Sequence, residues 1–526
     1  MTAIYKRPVS PGNFIESLTP ADKQIFSEIK RFTEWYEGSS EFRDMCRDGT
    51  ISTEWIDRLS SLGVRQEVIV SMSSVHNTNT PTHPILLKSN ELSVDLVELF
   101  NDVEKLESNI CLRLHFKYSI LKTIAQNQHH DWSLNRLSGE SPYFAWRKRR
   151  IKAVRSELGW YGHGIDHPTF SIELGVGCTV GCTFCAFDAQ KHEKNFDFDK
   201  PGNLELFKAV AVAFKTVMGD GCGGGMLYYA TEPNDNPNYI DFLDEYYKVT
   251  GYKLCTSTAR YDLDWLQRLK DFYSYPDPQP WPRVSVLSKH CMEKIHRHFP
   301  PIDFIYPWLL PQSIEMEDER KKVPGGREKF GMKKLQEVRD ARAYNSPEEV
   351  DYAIIPQGSI ACVTGFKVNM VNKTITATSP CYTSQKWSHG YREYGTVSFT
   401  GPETVLPALE KLISMAMLPS ASTEMKYAWR DDLDCRLMPD GFQLVSPYSF
   451  HKFTGNPLYT SLGRILSDCR GFTFMEVRDI LLKEVPDSDV FTVTELLKRF
   501  FDAGFVDENN IAREYCENQD PEIISA

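Results

Sequence analysis

The run Gly175-Val176-Gly177-Cys178-Thr179-Val180-Gly181-Cys182-Thr183-Phe184-Cys185 carries three cysteines at Cys-x3-Cys-x2-Cys spacing. Three thiolates from one loop can each ligate one iron of a cubane cluster. The fourth iron then has no protein ligand and can chelate a substrate. Gly175, Gly177 and Gly181 let the backbone wrap a bulky group, because glycine tolerates positive φ. The same three sulfurs with His192 would instead make a four-ligand zinc site.

Such a loop needs rigid supports, and the flanking pattern supplies them. Phe170 to Leu174 reads as a short strand directly before it. Leu204–Val217 then reads as a helix, Met226–Ala230 as a strand and Tyr239–Lys248 as a helix. Tyr252–Cys255, Arg283–Leu287 and Phe304–Tyr306 are the next expected strands. Leu263–Phe272 and Met292–His298 are the helices between them. This alternation implies parallel strands joined by right-handed crossovers. About six such units fit between 169 and 365, so the expected fold class is α/β with a partial (β/α)6 barrel. Chemistry in such barrels sits at the C-terminal strand ends. Thr231 and Glu232 follow strand two. Thr256, Ser257, Thr258 and Arg260 follow strand three, and Ser285 and Ser288 flank strand four. Each also has an ordinary reading as a turn or cap residue.

The cysteine spacing, set after a strand, resembles the signature of the radical S-adenosylmethionine (SAM) superfamily. The resemblance implies a [4Fe–4S] cluster on Cys178, Cys182 and Cys185 whose open iron takes the amino and carboxylate groups of SAM. Phe184 would cover the adenine. Thr231 and Glu232 match, by position, the motif that holds the SAM ammonium, although the family's glycine pair is absent. Thr256, Ser257, Arg260, Ser285 and Ser288 are the candidate ribose and carboxylate contacts.

Several stretches resemble one group within the superfamily, the epimerases that act on amino acids of ribosomally made peptides, of the proteusin type. These are Tyr228–Pro233, Val284–Ser288, Gly358–Phe366, Val368–Val371 and Ser379–Cys381. The resemblance covers about 165–395 and implies removal of a Cα hydrogen from an L-residue, then hydrogen return to the opposite face by a thiol. Cys362 and Cys381, at the two ends of a hairpin expected over 360–381, are the candidate donors. A donor must remain protonated, so a depressed pKa would work against it. Core packing or auxiliary cluster ligation are the other readings of this pair. The partners implied are a precursor peptide and an electron donor such as flavodoxin or ferredoxin.

The flanks differ in pattern. Residues 1–160 read as a helical region, with Phe26, Ile29, Phe32, Trp35 and Tyr36 at helical spacing and Gly63 as a stop. A polar linker is expected over 76–90, and a polar helix or insertion over 314–346. The remaining boundaries are 161–395 for the barrel and hairpin, 396–424 for a connecting helix, and 425–526 for a small winged-helix-like domain. That last domain suits leader recognition by strand addition to a sheet edge; DNA reading is the alternative.

Composition limits the choices. The net charge of −11 argues against general nucleic-acid binding, which needs a basic face. The basic run Arg147, Lys148, Arg149, Arg150 and Lys152 reads as a solvated helix face. Thirteen cysteines without an apolar N-terminal signal argue against a disulfide framework. No apolar run reaches the ~18 residues of a spanning helix. No membrane association is expected, and the expected location is the cytoplasm.

Overall fold

Phe170–Glu173 is an unbroken run of buried residues, too short for a helix and apolar enough to sit inside a sheet. In the computed structural model it is the first of the strands, which are β1 (Phe170–Glu173), β2 (Gly175–Val176), β3 (Lys194–Asn195), β4 (Ser257–Thr258), β5 (Arg283–Val286), β6 (Trp308–Pro311), β7 (Gly365–Asn369), β8 (Thr374–Pro380), β9 (Tyr391–Ser398), β10 (Asp434–Met438), β11 (Gly441–Val445) and β12 (Phe450–Thr454). The structure describes residues 11–89, 95–135, 141–159, 162, 165–182, 185–273, 282–312, 362–467 and 471–508. The chain divides into two units, Met1–Arg136 with Glu232–Glu319 and Leu137–Thr231 with Arg320–Ala526.

In the first unit the helix Pro20–Gly38 buries Phe26, Ile29, Phe32 and Trp35 on one stripe. It starts where Thr19 accepts a hydrogen bond from the Asp22 amide, with Pro20 in the first turn. Arg31, buried in that helix, donates to the carbonyls of Leu62 and Phe299. The helix Thr53–Ser61 stops as expected at Gly63, whose φ is +86°. The expected linker over 76–90 is only partly a linker, because Pro84–Ser89 is helical. β4, β5 and β6 form a parallel sheet, with Val284 beside Leu309 and Thr258 beside Val284. Helices Tyr239–Thr250, Leu263–Phe272 and Lys289–His298 belong to the same unit. Two strands are displaced from their expected places, the one expected over Tyr252–Cys255 forming at Ser257–Thr258 and the one expected over Phe304–Tyr306 forming later. Phe304 ends a 3-10 turn begun at Pro301, and the strand forms at Trp308–Pro311. Pro300 and Pro301 open that turn and delay the strand.

In the second unit β1 pairs in parallel with β7, which continues antiparallel into β8 and β9. The β7–β8 hairpin turns at Asn372-Lys373 as expected, with Lys373 at φ +53°. The expected strand at 226–230 is reduced to a parallel bridge between Met226 and Ser171. Helices Asn203–Met218 and Pro402–Ala416 pack against each other. β10, β11 and β12 form an antiparallel sheet, of which β12 was not anticipated. They pack with helices Pro457–Ser467, Phe474–Glu484 and Val490–Asp502 around Phe442, Leu444, Leu462, Val477, Leu481, Leu497 and Phe501. Each such fully buried side chain contributes about 1.5–3 kcal/mol of transfer free energy.

The basic run on helix Pro142–Leu158 is not a solvated face. Arg147, Arg149 and Arg150 are buried, whereas Lys148 and Lys152 are exposed. Arg147 donates to the carbonyls of Thr364 and His167, both at 2.6 Å. Arg149 and Arg150 share the buried carboxylate of Glu508. The sequence pattern missed this because the acidic partner lies more than 350 positions away.

Candidate functional site

The cysteine loop hangs on the C-terminal end of β1. Phe196 N donates to Leu174 O at 2.8 Å and Glu193 N to Val176 O at 2.9 Å. The Cys178 amide then donates to Gln190 O at 2.9 Å, so the loop's first cysteine is held by a return strand. Gly177 has φ +80°, and a Cβ there would lie 2.3 Å from Lys191 O. Only glycine fits this close approach. Gly181 also has positive φ, +67°. Cys178, Cys182 and Cys185 are all partly exposed. The donor chemistry of three thiols within eight residues fits an iron–sulfur cluster. Among the described residues, no group of three or more His, Cys, Asp or Glu side chains is drawn together as a metal cage. Phe184, the expected adenine cover, lies outside the described residues.

Around the base of this loop the second unit holds a buried carboxylate that sequence reasoning passed over. Glu173, the last residue of β1, is 6% exposed. Its Oε1 accepts from the Ala230 amide at 2.9 Å and its Oε2 from Asn369 Nδ2 at 3.1 Å. Asn369 Nδ2 also donates to Gly175 O at 3.2 Å. Burial pushes the Glu173 pKa up, and Lys367 with these two donors opposes that shift. The signal available in the sequence was one acid ending the strand that leads into the cysteine loop. Beside it Tyr229 is 4% exposed, and its hydroxyl has no hydrogen-bond partner among the described residues. Its ring packs on Phe187, two residues past the last loop cysteine, with centroids 4.1 Å apart.

The two donor candidates lie in different surroundings. Cys381 is fully buried, and burial raises its thiol pKa well above the usual value. Cys362 is partly exposed and packs near Val154, Leu158, Ile165, Tyr382 and Tyr448.

In the first unit, Glu232 is 5% exposed and already engaged. It accepts from the Asn234 amide at 3.0 Å, the Ala259 amide at 2.9 Å and the Thr258 hydroxyl. Burial raises its pKa, and these three donors pull it back. The Thr256 hydroxyl is buried between the Tyr239 and Tyr273 hydroxyls, 3.0 and 2.8 Å away. Ser288 caps helix Lys289–His298 through the Cys291 amide. Ser257, Arg260 and Ser285 are partly exposed, and Ser285 lies on the less buried face of β5. Thr231 is partly exposed at the last position of the second unit.

No protein-family profile matches the chain, and no solved structure matches it. The chain is similar to a protein of Sinorhizobium fredii named only as the uncharacterized protein y4wI. The two are 29% identical over 500 residues, covering 93% of this chain and 89% of that protein. No helix among the described residues is long and apolar enough to cross a membrane.

Proposed function

We propose that this chain is a radical SAM enzyme that converts L- to D-residues in a ribosomally made precursor peptide. The observation that carries the reading is the glycine-shaped loop bearing Cys178, Cys182 and Cys185 at the C-terminal end of a buried parallel strand. Those three thiolates would hold a [4Fe–4S] cluster. Cluster and SAM together supply a hydrogen-abstracting carbon radical.

The protein's own residues have separate tasks in this scheme. Phe184, Thr231, Glu232, Ser257, Arg260 and Ser285 are the SAM contacts of the reading. Thr256 and Ser288 have hydroxyls committed within the protein and act as supports for those positions. Cys362 is the favoured hydrogen donor, because a peptide Cα must approach the sulfur and Cys381 is sealed in the core. The sheet β10–β12 offers edges to which a leader peptide can add a strand. Flavodoxin or ferredoxin would supply the electron.

Anaerobic reconstitution with iron and sulfide, reduction, and SAM should release 5′-deoxyadenosine, and Cys178→Ala should abolish both cluster absorbance and release. One zinc per chain and no sulfide would refute the reading. Co-expression with a neighbouring precursor in D2O should add about one mass unit per modified residue when an exchangeable thiol returns the hydrogen. Loss of hydrogens would indicate cross-linking, and loss of a larger fragment would indicate residue excision. Cys362→Ala should keep SAM cleavage and stop net epimerisation. The same result from Cys381→Ala alone would move the donor role there.

A further inference from the structure

Glu173 sits where three chain segments end together. Its own strand β1 leads through Leu174 into the cysteine loop. Asn369 is its register partner at the end of β7, and Ala230 follows the segment that bridges β1 through Met226. A carboxylate offers four lone-pair positions and can accept from two sides at once. Glu173 uses one oxygen for the Ala230 amide and the other for Asn369 Nδ2. The second hydrogen of that Nδ2 goes to the carbonyl of Gly175, the first residue of β2. The Asn369 Oδ1 is fixed in turn by the Asn372 amide at 2.9 Å. Each polar side-chain atom of the pair thus has a partner within the protein.

Side chains alone cannot make this arrangement redundant. The sheet ladder already holds β1 to β7, since Met370 N donates to Glu173 O at 3.0 Å. The start of the loop is paired with β3, and neither that pairing nor the β1–β7 ladder includes the backbone at Ala230. The Glu173 and Asn369 side chains join that backbone to Gly175 at the start of the loop.

We propose that Glu173 and Asn369 form a positioning clamp that fixes the base of the cysteine loop relative to the Ala230-Thr231 backbone. This rests on the radical SAM reading, in which the loop holds the cluster and Thr231 contacts SAM. Glu173 is a positioning residue, because it acts through the loop and touches no substrate. Glu173→Gln places a donor amide against the Asn369 donor or turns it from Ala230, so one arm of the clamp opens. Asn369→Ala removes the arm to Gly175 and leaves the Glu173–Ala230 bond. Glu173→Gln with Asn369→Asp restores a matched donor and acceptor between the two side chains.

The test has two arms. In the first, the full-length chain without cluster is titrated anaerobically with cobalt(II), and the sulfur-to-cobalt charge-transfer band is followed. Each single variant should bind cobalt about tenfold more weakly than the parent, the effect of losing one charge-assisted hydrogen bond. The matched double variant should recover part of that loss. In the second arm, cluster-loaded protein should show a KM for SAM raised by about tenfold with kcat changed less. Parent-like cobalt affinity in both folded single variants would overturn the clamp. So would loss of folding in both, which would make the pair a plain structural element. If the loaded parent itself released no 5′-deoxyadenosine, the functional reading would fall while the cobalt arm still decided the clamp.

Discussion

Replacing Tyr229 by phenylalanine should make the protein more stable. The tyrosine is 4% exposed, and its hydroxyl is buried with no partner among the described residues. Burial pushes its pKa well above the phenol value, with Tyr391, Cys362, Glu173 and Glu393 adding to the shift in that order. A buried hydroxyl without a hydrogen bond costs about 1–3 kcal/mol by mutational measures. Deleting one oxygen leaves a gap smaller than a methyl group, which returns up to about 1 kcal/mol of that. The ring itself stays in place, held by Phe187 at 4.1 Å and by Tyr391 at 5.9 Å. The net gain is about 1 kcal/mol, or roughly 1–2 °C in Tm for a unit of about 300 residues.

Tyr427 is the matched control. It is 1% exposed, and its hydroxyl donates to Leu497 O at 2.6 Å. Tyr427→Phe leaves that carbonyl with one acceptor contact fewer and should lower stability by about 1 kcal/mol. Thermal and urea unfolding of both variants beside the parent give the answer. If Tyr229→Phe falls as Tyr427→Phe does, the Tyr229 hydroxyl is satisfied in solution and the reasoning fails.

The other expectations are shorter. Gly177→Ala places a Cβ 2.3 Å from Lys191 O at φ +80°, so the loop must shift; cluster content after reconstitution should fall sharply while far-ultraviolet dichroism stays close to the parent. Glu508→Gln leaves Arg149 and Arg150 buried beside a neutral amide and should destabilise by about 3 kcal/mol, with faster proteolysis of the C-terminal segment; urea unfolding measures it. Burial, the largest influence, lowers His296 to about 4, against an unfolded value of about 6.5, despite its Nε2 contact with Glu34 at 3.0 Å. The stability of the neutral imidazole is therefore complete above pH 6.5 and is lost as pH falls towards 4. Urea unfolding at pH 5.5 should show a loss on the order of 1 kcal/mol relative to pH 7.5, absent in His296→Gln. Glu34, held at about 2 by Lys30 and His296, adds a further loss only below about pH 4.5.

Local chemistry in this chain was legible where its cause is local. The turn at Gly63, the hairpin at Asn372-Lys373 and the helix over 203–218 follow from nearby residues alone. The positive-φ turns at Gly177 and Gly181 were legible for the same reason, because these glycines lie within the same eleven positions as the three cysteines. The strand at 308–311 was misplaced by a few residues because two prolines delay it, a boundary effect. The buried arginines were misread for a different reason. A charged residue's burial depends on a partner that can lie anywhere in the chain, and Glu508 sits more than 350 positions from Arg150.

The same distinction separates the site's two layers. Cys178, Cys182 and Cys185 announce themselves because they share one loop and are close in sequence, as the proposed cluster would require. Glu173 and Asn369 do not, since a clamp across parallel strands joins residues separated by a whole crossover. Thr256 and Ser288 show the converse error. Their types and their place at strand ends suited ligand contact, yet their hydroxyls are spent on Tyr239, Tyr273 and the Cys291 amide. A hydroxyl at a strand end satisfies a cap or a neighbour as readily as a ligand, and only three-dimensional accounting of its bonds separates the uses. By that accounting, the Tyr229 hydroxyl is buried without a partner among the described residues, and the cysteine loop, whose Phe187 packs on the Tyr229 ring, is where bound chemistry should first be sought.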